Sequence, residues 1–163
     1  GLMTAGALLG PARRAGGAEP ARTVTLVRAK GDDVASSRPA LWAAGELQRT
    51  LTARGLGWRV VGQIGEAPPE DFCIVAAGRT GKFGLETKLA DGAEAIALAA
   101  GRIAAREAVV AQGSDARGLV YALTELSDRA VLQDDSLARL APPPTLVRTA
   151  RSQPRPRGAS RPS

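Results

Sequence analysis

Three pairs of neighbouring acids, Asp32-Asp33, Glu70-Asp71 and Asp134-Asp135, have the most direct claim to chemistry in this chain. Hydrolysis of a glycosidic bond runs on two carboxyl groups that flank it. Those two groups must face each other across a cleft, one of them in a desolvated pocket that raises its pKa. Adjacent residues in polar loops meet neither condition, so the pairs read as solvated loop charges. A second candidate is Ala76-Ala77-Gly78-Arg79-Thr80-Gly81-Lys82-Phe83, which follows an apolar run and approximates a phosphate-binding loop. Such a loop needs Gly where Ala76 stands and Ser or Thr where Phe83 stands, for the phosphate cradle and its magnesium ion. The segment is therefore expected to be a flexible loop after an edge strand, with Lys82 exposed and no nucleotide bound. Cys73 is the single cysteine, set in the apolar run Phe72-Cys73-Ile74-Val75-Ala76, and reads as a buried structural thiol. With no histidine in the chain, Ser-His-Asp triads, imidazole acid/base chemistry and most zinc sites are excluded. No catalytic residue, cofactor site or metal site is assigned.

The elements that would position such groups belong to one modest domain. The 163 residues are 44% hydrophobic but only 3% aromatic, so the core must be built from Ala, Leu, Val and Ile, with little aromatic surface for stacking on sugars or bases. The net charge of +6 is confined to the ends: residues 23–140 carry 14 Lys and Arg against 15 Asp and Glu. A nucleic-acid-binding domain carries its basic patch on the folded part, so no nucleic-acid partner is expected. The apolar run Leu2–Gly10 is too short to span a bilayer and reads as the core of a signal-peptide remnant, with small residues at 15–18 as a cleavage zone. Residues 1–22 are thus expected to be the remnant of a signal peptide that directs export, the alternative being a disordered Ala/Gly-rich leader.

Thr23–Val27 reads as a strand, and Pro39 followed by Ala40, Leu41, Ala44, Leu47 and Leu51 as a helix ending at Gly55. Short strands follow at Trp58–Val61 and Asp71–Ala77. Glu94–Ala99 and Ile103–Gln112 form a hairpin with its turn at Gly101-Arg102, leading into a helix over Asp115–Asp128. The implied architecture is α/β (α+β): a two-layer sandwich, a mixed sheet with two helices on one face. From Ala141 a Pro-rich linker and an Arg-, Pro- and Ser-rich tail, residues 141–163, have little to bury, and are expected to be disordered.

The densest motif is Gln112-Gly113-Ser114-Asp115-Ala116-Arg117-Gly118-Leu119-Val120-Tyr121-Ala122-Leu123-Thr124-Glu125-Leu126. Asp115 can cap the helix, Leu119, Leu123 and Leu126 share one face, and Gly118 lets the helix approach its sheet. A strand ending in Gly-Ser-Asp, followed by Arg-Gly and an apolar helix, resembles the N-terminal domain that precedes the catalytic barrel in family 20 glycoside hydrolases (bacterial β-hexosaminidases) and α-glucuronidase-like enzymes. Glu46-Leu47-Gln48 matches the first helix of that domain, and Ala122 stands where relatives often have Gly. The resemblance covers residues 23–140 and implies the same two-layer fold. It further implies a non-catalytic accessory domain of an exported glycoside hydrolase, its partner a barrel on the same or an adjacent polypeptide. Carbohydrate is met only through that barrel, whose acids are not in this chain; a truncated or frame-shifted gene, or else a natural basic tail, would explain the ending. Asp115, Arg117, Gly118 and Tyr121 are the expected interdomain support residues, and Trp42 and Trp58 the core or interdomain anchors. The alternatives are a free-standing secreted binding or scaffold domain, or a small phosphate-ligand enzyme built on Gly78–Lys82.

Overall fold

The computed structural model describes residues 22–131 and the short strand at 146–148. The elements run β1 (Thr23–Arg28), α1 (Arg38–Ala53), β2 (Gly57–Val61), a 3₁₀ turn at Ile64–Glu66, β3 (Phe72–Ala77), β4 (Ile96–Ile103), β5 (Arg106–Gly113), α2 (Ala116–Val131) and β6 (Leu146–Arg148). Residues 1–21 of the leader, Asp134-Asp135 and all of 141–163 except 146–148 lie outside the described residues. The three residues of β6 fall beyond the expected domain boundary at 140.

One mixed sheet has the order β2-β1-β3-β5-β4-β6. β2, β1, β3 and β5 are parallel, whereas β4 runs antiparallel between β5 and β6. β3 is thus central, not the expected edge strand. Buried on both faces, it reads as an unbroken apolar run, which is what parallel strands require.

Both helices cover the same face, as expected for the two-layer sandwich. Each follows a parallel strand, so the two run side by side in the same direction, and the Arg54 guanidinium next to the end of α1 donates to the Val131 carbonyl at the end of α2. Ser37 caps α1 through its Oγ, which accepts from Ala40 N at 3.4 Å, and Pro39 sits in the first turn where no amide donor is needed. The core joins Val24, Leu26, Ile74 and Val109 of the sheet to Leu47, Leu51, Leu119, Leu123 and Leu126 of the helices. Leu41, expected in that stripe, is 41% exposed. Ala40, Ala43, Leu47 and Leu51 turn the sheet-facing side of α1 away from it.

The hairpin turn also lies elsewhere. β4 continues through Gly101-Arg102, and the chain reverses at Ala104-Ala105, flanked by the pair Ile103↔Arg106. Both turn residues take the left-handed conformation, φ 47° and 65°, the pattern of a two-residue hairpin loop matched to strand twist. Gly101 remains in the strand because Leu85 packs over it; a Cβ there would lie 2.5 Å from Leu85 Cδ1.

Candidate functional site

The signature motif folds into a clasp between the start of β4 and the first turn of α2. Ser114 N donates to Ala95 O and Ala95 N donates to Ser114 Oγ, both at 2.9 Å. Asp115 uses both carboxylate oxygens: Oδ1 accepts from Gly118 N at 2.8 Å as the helix cap, and Oδ2 accepts from Glu94 N at 2.9 Å. The Gly118 and Glu94 amides hold the Asp115 carboxyl below its ordinary pKa, because they bind the charged form. Arg117 Nη1 reaches the Glu94 carboxylate at 2.8 Å on the surface. A Cβ on Gly118 would lie 2.5 Å from Ala95 O, and one on Gly113 would run into the backbone of Leu119. The glycines are therefore the condition for the helix to land on the strands. Glu94 itself sits at φ 57°, a conformation a non-glycine residue adopts at a cost of about 1 kcal/mol or more, and its amide and side chain are both held by the clasp.

Of the four expected support residues, Asp115, Arg117 and Gly118 thus belong to the clasp. Tyr121 alone projects from it, 50% exposed on the outer side of α2. Trp42 is 60% exposed on α1, so it is not a core residue, whereas Trp58 packs partly buried against the helix-side core. Cys73 is buried, and desolvation pushes its thiol pKa up against the opposing pull of Arg106.

The loops at the carboxyl ends of β1 and β3 meet on one edge. Asp32 Oδ2 accepts from Gly78 N at 2.7 Å and Oδ1 from Ala35 N at 2.9 Å. The anion held by the phosphate-loop look-alike is therefore a side chain of the protein. After Gly78 no helix begins before β4, so the oriented amides of a helix N-terminus are missing. Gln112, buried at the end of β5, donates through Nε2 to Gly78 O at 2.8 Å and Arg79 O at 3.2 Å, and its Oε1 accepts from the Thr87 hydroxyl. Arg79 is held by Ala90 O, Gly92 O and Asp91.

Asp71 departs from the expected solvated loop charge. It is 5% exposed and accepts the Thr25 hydroxyl at 2.6 Å, with Arg59 Nε 4.0 Å away. Arg106, at the foot of β5, donates to Ala67 O at 2.6 and 2.9 Å. Together these contacts pin the β2–β3 connection beneath the sheet. The partnerships of Asp32 with Gly78 and of Asp71 with Thr25 each span 46 residues, and no local pattern announces them.

Two hollows open on the sheet face that carries no helix. A polar one of about 540 Å³ is lined by Arg79, Lys82, Glu86, Thr87 and Gln112 together with Phe83 and Leu85. A more apolar one of about 300 Å³ lies over Val27, Val75 and Ile103 and shares Lys82 and Phe83 with the first. Among the described residues no group of three or more His, Cys, Asp or Glu side chains could hold a metal ion, and no helix is long and apolar enough to cross a membrane.

No known family model matches the chain, and no curated protein matches it. Among solved structures it is similar to a GH138 enzyme targeting pectin rhamnogalacturonan II, at 15% identity and a TM-score of 0.49, over 70% of this chain and 14% of that one.

Proposed function

We propose that this domain is a non-catalytic accessory unit of an exported carbohydrate-active glycoside hydrolase, β-hexosaminidase or α-glucuronidase-like, and that it buttresses a catalytic barrel on the same or an adjacent polypeptide. The observation that carries the reading is the commitment of its buried and half-buried acids to folding. Asp115 holds the Gly118 and Glu94 amides, Asp32 holds Gly78 and Ala35, and Asp71 holds Thr25. Asp71 precedes β3 and Asp32 binds the residue that follows it, so they stand about 20 Å apart at ~3.3 Å per residue. Glycoside hydrolysis requires carboxyl groups roughly 5–9.5 Å apart. The sequence resemblance of Gly113–Leu126 supplies the family of the barrel. Exposed Trp42 and Tyr121, one near the start of each helix, offer aromatic area for it to rest on.

The test is an assay of the whole chain on chromogenic N-acetylhexosaminides and glucuronides, with no turnover above a blank expected. Turnover that disappears in Asp71→Asn or Asp32→Asn would overturn the accessory role. Coding DNA beyond Ser163 that encodes no barrel in any frame would favour a free-standing secreted scaffold instead.

A further inference from the structure

We propose that the apolar hollow on the helix-free face binds a small amphipathic monoanion, its hydrocarbon body over Val27, Val75 and Ile103 and its carboxylate on Lys82. The hollow, about 300 Å³, is closed at the sides by Ile64 of the 3₁₀ turn and by Phe83. That volume is at the small end of the ~300–1,000 Å³ of ligand pockets, which are mostly apolar with a few placed polar groups. Lys82 is the one charged residue in its wall. Arg79, held by Asp91 and two carbonyls, and Arg106, held by Ala67 O, do not line this hollow, and Lys30, beside Gly62, lines a neighbouring one. Lys82 has no hydrogen bond or ion pair among the described residues.

The place in the sheet also favours a ligand. β1 leads through α1 outward to β2, while β3 leads the other way toward β4 and β5. The carboxyl ends of β1 and β3 therefore flank a topological switch point, where open α/β sheets bind their ligands. Val27, Ala29 and Val75 line the hollow at those ends. One ammonium beside an apolar floor selects a single negative charge on a short apolar body. A phosphate or nucleotide is disfavoured because the Gly78 amide, the first donor such a group would need, is given to Asp32.

The experiment is calorimetric titration of the full chain with butanoate, hexanoate and octanoate, and with octanamide as the uncharged probe. Affinity is expected to rise about three- to fourfold per added methylene until the hollow is full. Octanoate should bind about tenfold more tightly than octanamide, and Lys82→Gln, an exposed position, should remove that preference while leaving the amide and the thermal midpoint unchanged. Ala29→Leu, which fills the hollow from its rim, should abolish binding of both probes. No saturable heat with octanoate at millimolar concentration, equal affinity for acid and amide in the wild-type chain, an unaltered preference in Lys82→Gln, or unaltered binding in Ala29→Leu would each overturn the proposal.

Discussion

The two faces of the sheet are built on different principles. On the helix side, side chains from β1, β3, β4 and β5 interlock with two parallel helices in one continuous cluster. On the other side a smaller group, Val27, Cys73, Val75, Ala108 and Val110 with Ile103, is covered by buried Ala67 and by half-buried Val61, Ile64, Phe83 and Leu85 from loops and an edge strand. Helices bring an apolar stripe whose spacing matches the sheet, so they close it without gaps. Irregular segments must satisfy their own backbone polar groups, and they leave hollows where they cannot follow the strand surface. Stability is thereby concentrated on one face and space for a ligand on the other.

Truncations on the two faces test this division most strongly. Leu123 is buried between α2 and the sheet, so Leu123→Ala is expected to destabilise the domain by ~2–5 kcal/mol. Phe83 loses more atoms in Phe83→Ala but is only half-buried beside two hollows, and should cost less. Chemical denaturation of both variants decides it. An equal or larger loss in Phe83→Ala would mean that the loop-covered face carries the core.

The glycines of the clasp give the next effect. Gly118→Ala adds a Cβ 2.5 Å from the Ala95 carbonyl oxygen, a backbone atom that cannot rotate away. Ala is favoured over Gly inside a helix by about 1 kcal/mol, yet the clash should win and leave a net loss of ~1–3 kcal/mol. A stabilised Gly118→Ala variant would show that the helix does not rest on β4.

Much of the helix side was legible in the sequence. Leu119, Leu123 and Leu126 announce a face, Asp115 a cap and Gly118 a close approach, because helical contacts repeat over three or four residues. Leu41 misled because an apolar residue at the edge of a stripe cannot be told from one inside it. The hairpin turn misled for another reason. Gly101 attracts a turn assignment, but Leu85, sixteen positions earlier, requires the glycine, and Ala104-Ala105 takes the turn without a turn-forming residue. Of the loop side, the apolar run announces buried Cys73, but Asp32 reaches Gly78 and Asp71 reaches Thr25 across 46 residues, and Gln112 reaches Thr87, Arg79 and Gly78 across 25 to 34, beyond any local pattern.

The cap can be read by pH. Because its amide donors lower the Asp115 pKa, the contribution is fully present above the unfolded carboxylate value near 3.9 and is lost as pH falls through the lower folded value. Asp115→Ala should cost roughly 0.5–2 kcal/mol at pH 7. The difference in denaturation midpoint between Asp115→Ala and wild type should shrink as pH drops below about 4. A difference that stays constant from pH 7 to pH 2 would mean that the carboxylate charge does not stabilise the clasp.

The smallest effect is expected where the same substitution is made on the other face. A Cβ on Gly81 would run into the tip of the Phe83 ring and lie 3.0 Å from Ala77 Cβ. Unlike the carbonyl beneath Gly118, the ring ends a side chain that can rotate, and it borders a hollow with room to receive it. Gly→Ala also removes unfolded-state freedom, a gain of ~0.4–1 kcal/mol where the backbone conformation is compatible, and Gly81 is not among the positive-φ glycines. Gly81→Ala should therefore leave stability within about 0.5 kcal/mol of wild type while moving Phe83 and narrowing the hollow it lines. The paired readouts are the denaturation midpoint and octanoate affinity, the first nearly unchanged and the second weakened. A Gly81→Ala variant as damaged as Gly118→Ala would show that the loop face is packed as rigidly as the helix face, and the division between a structural side and a ligand side would fail.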